Sequence, residues 1–323
     1  MTNRMISFAL AIFSFSIAPA LAEQPAGFPP PPPLASPAMG AIDFHVHSDP
    51  DVFGRSMDDI DVAVLAKRKG MRALVLKNHV TMTADRATLV MKVVPGIEIY
   101  GGIVLNNSVG GINPAAVEWM HRMSGGRGKV VWLPTFDADM HVKTLVNPKA
   151  SGIVVAPNGV TTPQVDEVLK IIARENLVLA TGHIHADEVV AVVKRAKELG
   201  VKNILITHAL TTVPGLSMEQ VKQVVQMGAY IEYCYLQSMT GPDAQHAWMK
   251  HWRKVSLKEL ASVVDEIGAT SIVLSSDLGQ HANMTHPDAM EDMITGLRKE
   301  GVSQADIDLM VKKNPARLLG LED

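Results

Sequence analysis

The segment "AIDFHVHSDPD", residues 41–51, begins as an apolar run and then presents two histidines among three aspartates. Side chains alternate on a strand, so His45 and His47 point to one side and can grip one ion. The question is whether this pattern recurs. Seven further apolar runs read as strands: 72–77, 96–105, 129–134, 177–182, 203–207, 229–233 and 271–276. With 41–46 they make eight.

Helical patterns fill the gaps, over 58–70, 84–93, 114–123, 163–175, 186–199, 217–227, 256–267 and 287–299. The sixth opens with Ser217 three residues before Gln220, a capping-box spacing. A strand–helix repeat with near-continuous apolar strands implies a parallel sheet covered by helices. Eight repeats predict an α/β fold of the closed (β/α)8 TIM-barrel kind, in which reactive groups sit where strands end. A doubly wound open sheet is the structural alternative.

The chain has 323 residues, 47% hydrophobic and 20% charged, with a net charge of -3. A sizeable core is affordable, and the absence of a basic footprint excludes nucleic acid as the expected partner. Arg4, the apolar residues 5–19 and Ala20-Leu21-Ala22 match a cleavable signal peptide, residues 1–22, with the mature chain starting at Glu23. The run is short for a membrane span of ~20 residues, so no membrane association is expected after cleavage, and the protein should be periplasmic or secreted. Residues 23–40 read as a proline-rich linker and 41–323 as a single barrel domain. Cys234 is the only cysteine, so no bridge can form within the chain. Self-association is left open.

Polar residues cluster at the predicted strand ends: Lys77 and His79 after strand two, His183 and His185 after strand five, His208 after strand six, Asp277 after strand eight. One such histidine is usually structural. Five strands with the same placement point instead to one mouth on which distant residues converge. His45, His47, His183, His208 and Asp277 offer imidazole nitrogen and carboxylate oxygen, which suit a divalent metal: zinc first, then manganese, iron, nickel or cobalt. No thiolate is expected to contribute, because Cys234 stands alone.

These residues, together with the closing "NPARLLGL" at 314–321, resemble the amidohydrolase superfamily of metal-dependent hydrolases over roughly residues 41–321. The resemblance implies one or two metals per chain. His45 and His47 would bind the more buried metal with Asp277 as a further ligand. His183 and His208 would complete a second position, or divide between ligand and substrate-polarising roles. Asp277 would also be the general base, accepting a proton from the attacking water. One departure stands out. Many two-metal members carry a carboxylated lysine or a glutamate at the end of strand four, whereas here that strand ends "WLPTFDAD". Lys77 could substitute as a bridge, or bind substrate as an ammonium ion.

His79, Asn106, Thr135, Asp137 and Trp248 are candidate substrate contacts, the last on a long connection, residues 237–256, that also carries Trp252. Glu98 is similar to a ligand position of the PHP phosphoesterases but reads better as a structural strand residue. The leading expectation is an exported hydrolase acting on a small molecule through an amide, cyclic amide, lactone or ester bond. The few cations near the mouth disfavour a multiply charged phosphate. A one-metal decarboxylase anchored by Arg55, Lys77 or Arg86, a PHP-like phosphoesterase and a binding barrel without turnover are the alternatives.

Overall fold

The computed structural model describes residues 35–321, so the expected signal peptide and linker residues 23–34 lie outside the described residues. Eight parallel strands follow one another in sequence order: β1 Ile42–Val46, β2 Ala73–Leu76, β3 Glu98–Val104, β4 Gly128–Trp132, β5 Val178–Ala180, β6 Asn203–Ile206, β7 Tyr230–Cys234 and β8 Ile272–Ser275. The ring closes where β8 returns to β1. Val46 bridges Leu278, the Asp277 N–H donates to the His45 carbonyl at 2.9 Å, and the His47 N–H donates to the Leu278 carbonyl at 3.1 Å. This closure gives the TIM barrel and excludes the open doubly wound sheet.

Around the strands run α1 Asp59–Arg68, α2 Ala84–Val93, α3 Pro114–His121, α4 Asp139–His141, α5 Pro163–Arg174, α6 Ala186–Glu198, α7 Met218–Gln226, α8 Leu257–Ile267, α9 His286–Lys299, α10 Gln304–Asp308 and α11 Asn314–Leu319. Every expected strand and helix is present. The helices start where a short polar side chain can satisfy a free backbone N–H. Asp58, Thr162, Ser256 and Thr285 each accept such a bond, and Ser217 and Gln220 form the reciprocal box anticipated from their spacing.

Alternation along the strands separates two apolar layers. Leu74 and Leu76, Leu179, Ile204 and Ile206, and Ile272 and Leu274 pack with helix residues such as Val62, Val168, Val192 and Ile294. Their neighbours Ala73 and Val75, Val178 and Ala180, Leu205 and Val273 pack with one another, with Trp132 and with Ala316, Leu318 and Leu319 of α11. The second set fills the barrel. Continuing the same alternation past the strand ends places Lys77 and Asp277 on the inner side. In β1 the register with β2 shifts between Asp43 and Val46, where the apolar Ile42 and Phe44 give way to His45 and His47.

Candidate active site

Five strand ends supply a histidine or the terminal aspartate; those of β1, β6 and β8 meet in one buried cluster at the barrel mouth, with His79 and His183 beside it. His45 Nε2 and His47 Nε2 lie 3.0 Å and 3.1 Å from Asp277 Oδ1, and His208 Nε2 lies 3.4 Å from Asp277 Oδ2. Lys77 Nζ is 2.9 Å from His45 Nε2. His183, from the end of β5, has its ring 5.3 Å from that of His208. Backbone geometry serves this convergence. His208 and Asp277 both adopt left-handed backbone, with φ of 54° and 55°, which a side-chain-bearing residue holds only when its surroundings impose it. Gly182 and Gly279 must be glycine: an added Cβ would meet the Leu133 carbonyl oxygen at 2.3 Å and the His47 carbonyl oxygen at 1.9 Å.

Behind His45 the arrangement contains two residues the sequence reading passed over. Glu232 of β7 lies 3.3 Å from His45 Nδ1 and also accepts the Ser275 hydroxyl at 2.8 Å. A carboxylate on the rear nitrogen of a histidine fixes the ring and leaves the front nitrogen as a ligand. The one available signal was a lone charge in the apolar run "AYIEY", on the inward alternation of a central strand. Cys234, set aside as isolated, is in fact beside the cluster, with Sγ 3.5 Å from His45 Nδ1. Burial pushes its thiol well above the ordinary range, yet its Sγ belongs to the same close group of potential ligands as His45, His208 and Asp277.

Burial holds His47, His79 and His183 well below the usual imidazole range and His208 at about 4, so their rings are neutral. For His45 burial pulls the same way, but the Asp277 and Glu232 carboxylates outweigh it and raise the group. Asp277 would be raised by burial, yet His45 and His208 hold it well below the carboxylate range. Burial lowers Lys77 and lifts Asp43 to about 6.

Three observations make this cluster fit a divalent cation. The neutral rings of His47, His183 and His208 present lone pairs, as ligands must. The buried carboxylates Asp43, Glu232 and Asp277 face a single buried amine, Lys77, while Arg55 is cancelled by Asp51 at 2.8 Å. And His183 Nε2 is buried with no partner among the described residues. His45, His47, His208 and Asp277 would hold one cation, with His183 and Lys77 at the edge of the same space; nitrogen and oxygen donors of this kind suit zinc and its first-row neighbours.

Above the cluster opens a cavity of about 660 Å³ whose wall includes His47, Lys77, His79, His183, His208 and Asp277. Its upper part is aromatic. The Trp252 ring stands 5.9 Å and 6.0 Å from those of His183 and His208, and Phe136 stacks on His79 at 3.8 Å. Trp248 is on the wall as expected, half-exposed at the rim, whereas Trp252 lies closer to the cluster. Three other expected substrate contacts are placed differently. Asn106 Nδ2 donates to the His79 carbonyl at 3.0 Å and to Thr135 Oγ1 at 2.9 Å, while its Oδ1 accepts the Thr135 N–H at 2.8 Å. Asp137 accepts the Asn107 N–H at 2.7 Å. Asn106, Thr135 and Asp137 thus tie the β3 and β4 loops together beneath His79, which bonds Thr135 Oγ1 through Nδ1 at 2.8 Å, and none of the three is on the cavity wall. Glu98 sits at the opposite end of β3, bonded by Tyr100 Oη at 2.5 Å. His185 faces outward and pairs with Asp139 at 3.0 Å. Arg86 is consumed by Asp59 and two backbone carbonyls, so of the three anchors considered for a carboxylate, Arg55 and Lys77 reach the cavity.

Fold and site together define a (β/α)8 barrel with a histidine–carboxylate mouth. The chain belongs to a family described as a family of unknown function (DUF6282), matched over residues 40–232, which ends within β7 and leaves Asp277 outside the matched part. No curated protein matches it. Among solved structures it is similar to an organophosphorus hydrolase from Deinococcus radiodurans, at 17% identity and a TM-score of 0.59, covering 88% of this chain and 94% of that one. It is also similar to a mutant of a PTE-like lactonase from the same organism, at 17% identity and a TM-score of 0.56, covering 88% and 97%. A Pseudomonas putida structure provisionally described as a 2-pyrone-4,6-dicarboxylic acid hydrolase matches at 17% identity and a TM-score of 0.58, over 88% and 99%. At such identities the likeness carries the fold.

Proposed function

We propose that this chain is an exported metal-dependent hydrolase that cleaves an ester, lactone, amide or cyclic amide bond of a small, largely apolar molecule. The observation that carries the reading is the convergence of His45, His47 and His208 on Asp277 at the mouth of the barrel. The descriptions of the similar barrels, as hydrolases and a lactonase, support the same class. A divalent cation bound by these residues supplies Lewis acidity, polarising the scissile carbonyl and acidifying water.

The protein's own groups do the rest. Asp277, held as a carboxylate, accepts the proton of the attacking water and can return it to the leaving group. Glu232 fixes the His45 ring from behind. Phe136, Trp252 and Trp248 exclude bulk water and hold an apolar substrate body, which strengthens the electrostatics below them. Export is inferred from residues 1–22, with the mature chain beginning at Glu23.

The test is elemental analysis of protein purified without added metal or chelator, combined with a panel of lactones, aryl esters and cyclic amides assayed before and after chelation. Transition metal bound to the wild type, with hydrolysis that chelator abolishes and added zinc restores, supports the proposal; hydrolysis untouched by chelation refutes it. Arg55, paired with Asp51 through Nε and Nη2 yet on the cavity wall, favours one alternative, a one-metal decarboxylase in which Arg55 shares its charge between Asp51 and a substrate carboxylate. Release of carbon dioxide from an aromatic acid, together with a single metal per chain, would favour that reaction.

A further inference from the structure

His141 has no place in the scheme so far, although it lines the cavity and is 8% exposed. It comes from α4, the single turn after β4 that continues as a π turn through Val142–Val146. Its Nδ1 lies 2.9 Å from Nδ1 of His183. The ring centroids are 5.0 Å apart and the planes 17° from parallel. The centroid separation exceeds the nitrogen separation by 5.0 − 2.9 = 2.1 Å, nearly twice the distance from the centre of an imidazole to one of its atoms, so the two nitrogens meet head-on.

A head-on contact of this length excludes a cation between the two Nδ1 atoms, because two zinc–nitrogen bonds of about 2.0–2.1 Å in line would need roughly 4 Å. It is a hydrogen bond, and one of the two rings must supply the proton. Two assignments follow. If His141 donates, His183 must carry its own proton on Nε2; if His183 donates, its Nε2 is a bare lone pair. That Nε2 lies on the far side of the ring from His141 and is buried without a partner among the described residues. An Nε2–H there would be a buried donor with no acceptor, whereas a bare Nε2 is the form that can bind a cation, which the excess negative charge of the enclosure attracts.

We infer that His141 is a positioning residue, whose Nδ1 accepts the Nδ1–H of His183 and thereby holds His183 in the tautomer that offers Nε2 to a divalent cation. The inference rests on the metal-hydrolase reading and adds to it an orienting partner that is an imidazole, supplied by the connection that follows strand four, whose end carries no lysine. Partners of this kind typically contribute 10–100-fold to metal affinity.

Two measurements test it on the full mature chain. The first is the nitrogen spectrum of wild-type, metal-free protein labelled with 15N-histidine, with His183 assigned through His183→Asn. The second is cobalt binding by calorimetry and visible absorption for wild type, His141→Leu and His141→Gln. The expected results are His183 protonated on Nδ1, a 10–100-fold weaker cobalt site in His141→Leu, and substantial recovery in His141→Gln, whose amide oxygen can accept the same bond. His183 protonated on Nε2, or cobalt bound equally by wild type and His141→Leu, overturns the inference while leaving the metal-hydrolase reading intact. A wild type that binds no cobalt overturns both. The tautomer measurement needs no variant at position 141, so a misfolded His141→Leu does not rescue the idea.

Discussion

At the scale of single residues, the proposed function separates groups that would hold the cation from a group that would also move a proton. His45→Ala should remove bound metal and hydrolysis together, because His45 faces Asp277 in front and Glu232 behind. Elemental analysis and a rate measurement on the same sample check both losses. Asp277→Asn keeps the shape but loses the base, so kcat should fall by about 10²–10⁴-fold with KM changed only a few-fold. Near-wild-type turnover in either variant would place the chemistry elsewhere. Much of this was legible in the sequence, because residues two apart share a side, which pairs His45 with His47 and Lys77 with His79; the register shift in β1 that turns His45 inward after Phe44 was not. Glu232 was not legible, since its partner is a histidine from another strand and only barrel closure makes the two neighbours. Asn106, Thr135 and Asp137 misled for the opposite reason: a polar loop residue that braces a turn has the same composition as one that meets a substrate.

At the scale of elements, the strand-end turns and the α4 turn do the positioning. Gly279→Ala should cost on the order of 3 kcal/mol or more, or prevent folding, because its Cβ would meet the His47 carbonyl at 1.9 Å and its φ is +123°. Urea unfolding measures this, and a cost below about 1 kcal/mol would contradict the packing. Asp139 ties α4 to its surroundings. Burial opposes its ionisation, but bonds from His185, Lys143 and the Gly152 N–H hold it at about 2, below its ordinary value. A carboxylate depressed in the folded state contributes stability that is full above the unfolded value near 4 and is lost as pH falls through about 2. Asp139→Asn should therefore cost about 1–2 kcal/mol at pH 7, with half-exposed Lys143 keeping the figure modest, and the gap between variant and wild type should close in acid. Unfolding curves between pH 7 and 3 check the sign. The helices were readable from their caps and apolar periodicity. The α4 turn and the π turn after it were not, for they are too short to carry a period, and α4 is held by His183 and His185 from the turn between β5 and α6.

At the scale of the whole molecule, cation and fold should be coupled, because the ligands come from β1, β6 and β8 rather than from one segment. With free zinc at about 100 times its dissociation constant, binding should contribute about 2.7 kcal/mol, a rise of several degrees in the unfolding midpoint that chelator removes. An unchanged midpoint would mean that the ion, if bound, does not bridge those strands. The barrel itself followed from counting strand–helix repeats, whereas the connections of the long 237–256 segment, and thus the nearness of Trp252 to His183, depended on contacts no local pattern encodes.

The seam between β8 and β1 runs through the site: Asp277 N–H bonds the His45 carbonyl, and these residues are 277 − 45 = 232 positions apart. During synthesis the first strand leaves the ribosome long before its mate, and no nascent chain lacking β8 can own a complete ligand set. An ion held by these residues would therefore be captured only after the barrel closes, and its capture would report a finished barrel. If the chain crosses a membrane unfolded, the compartment in which that seam zips shut, rather than the one in which the protein is made, determines which metal it acquires.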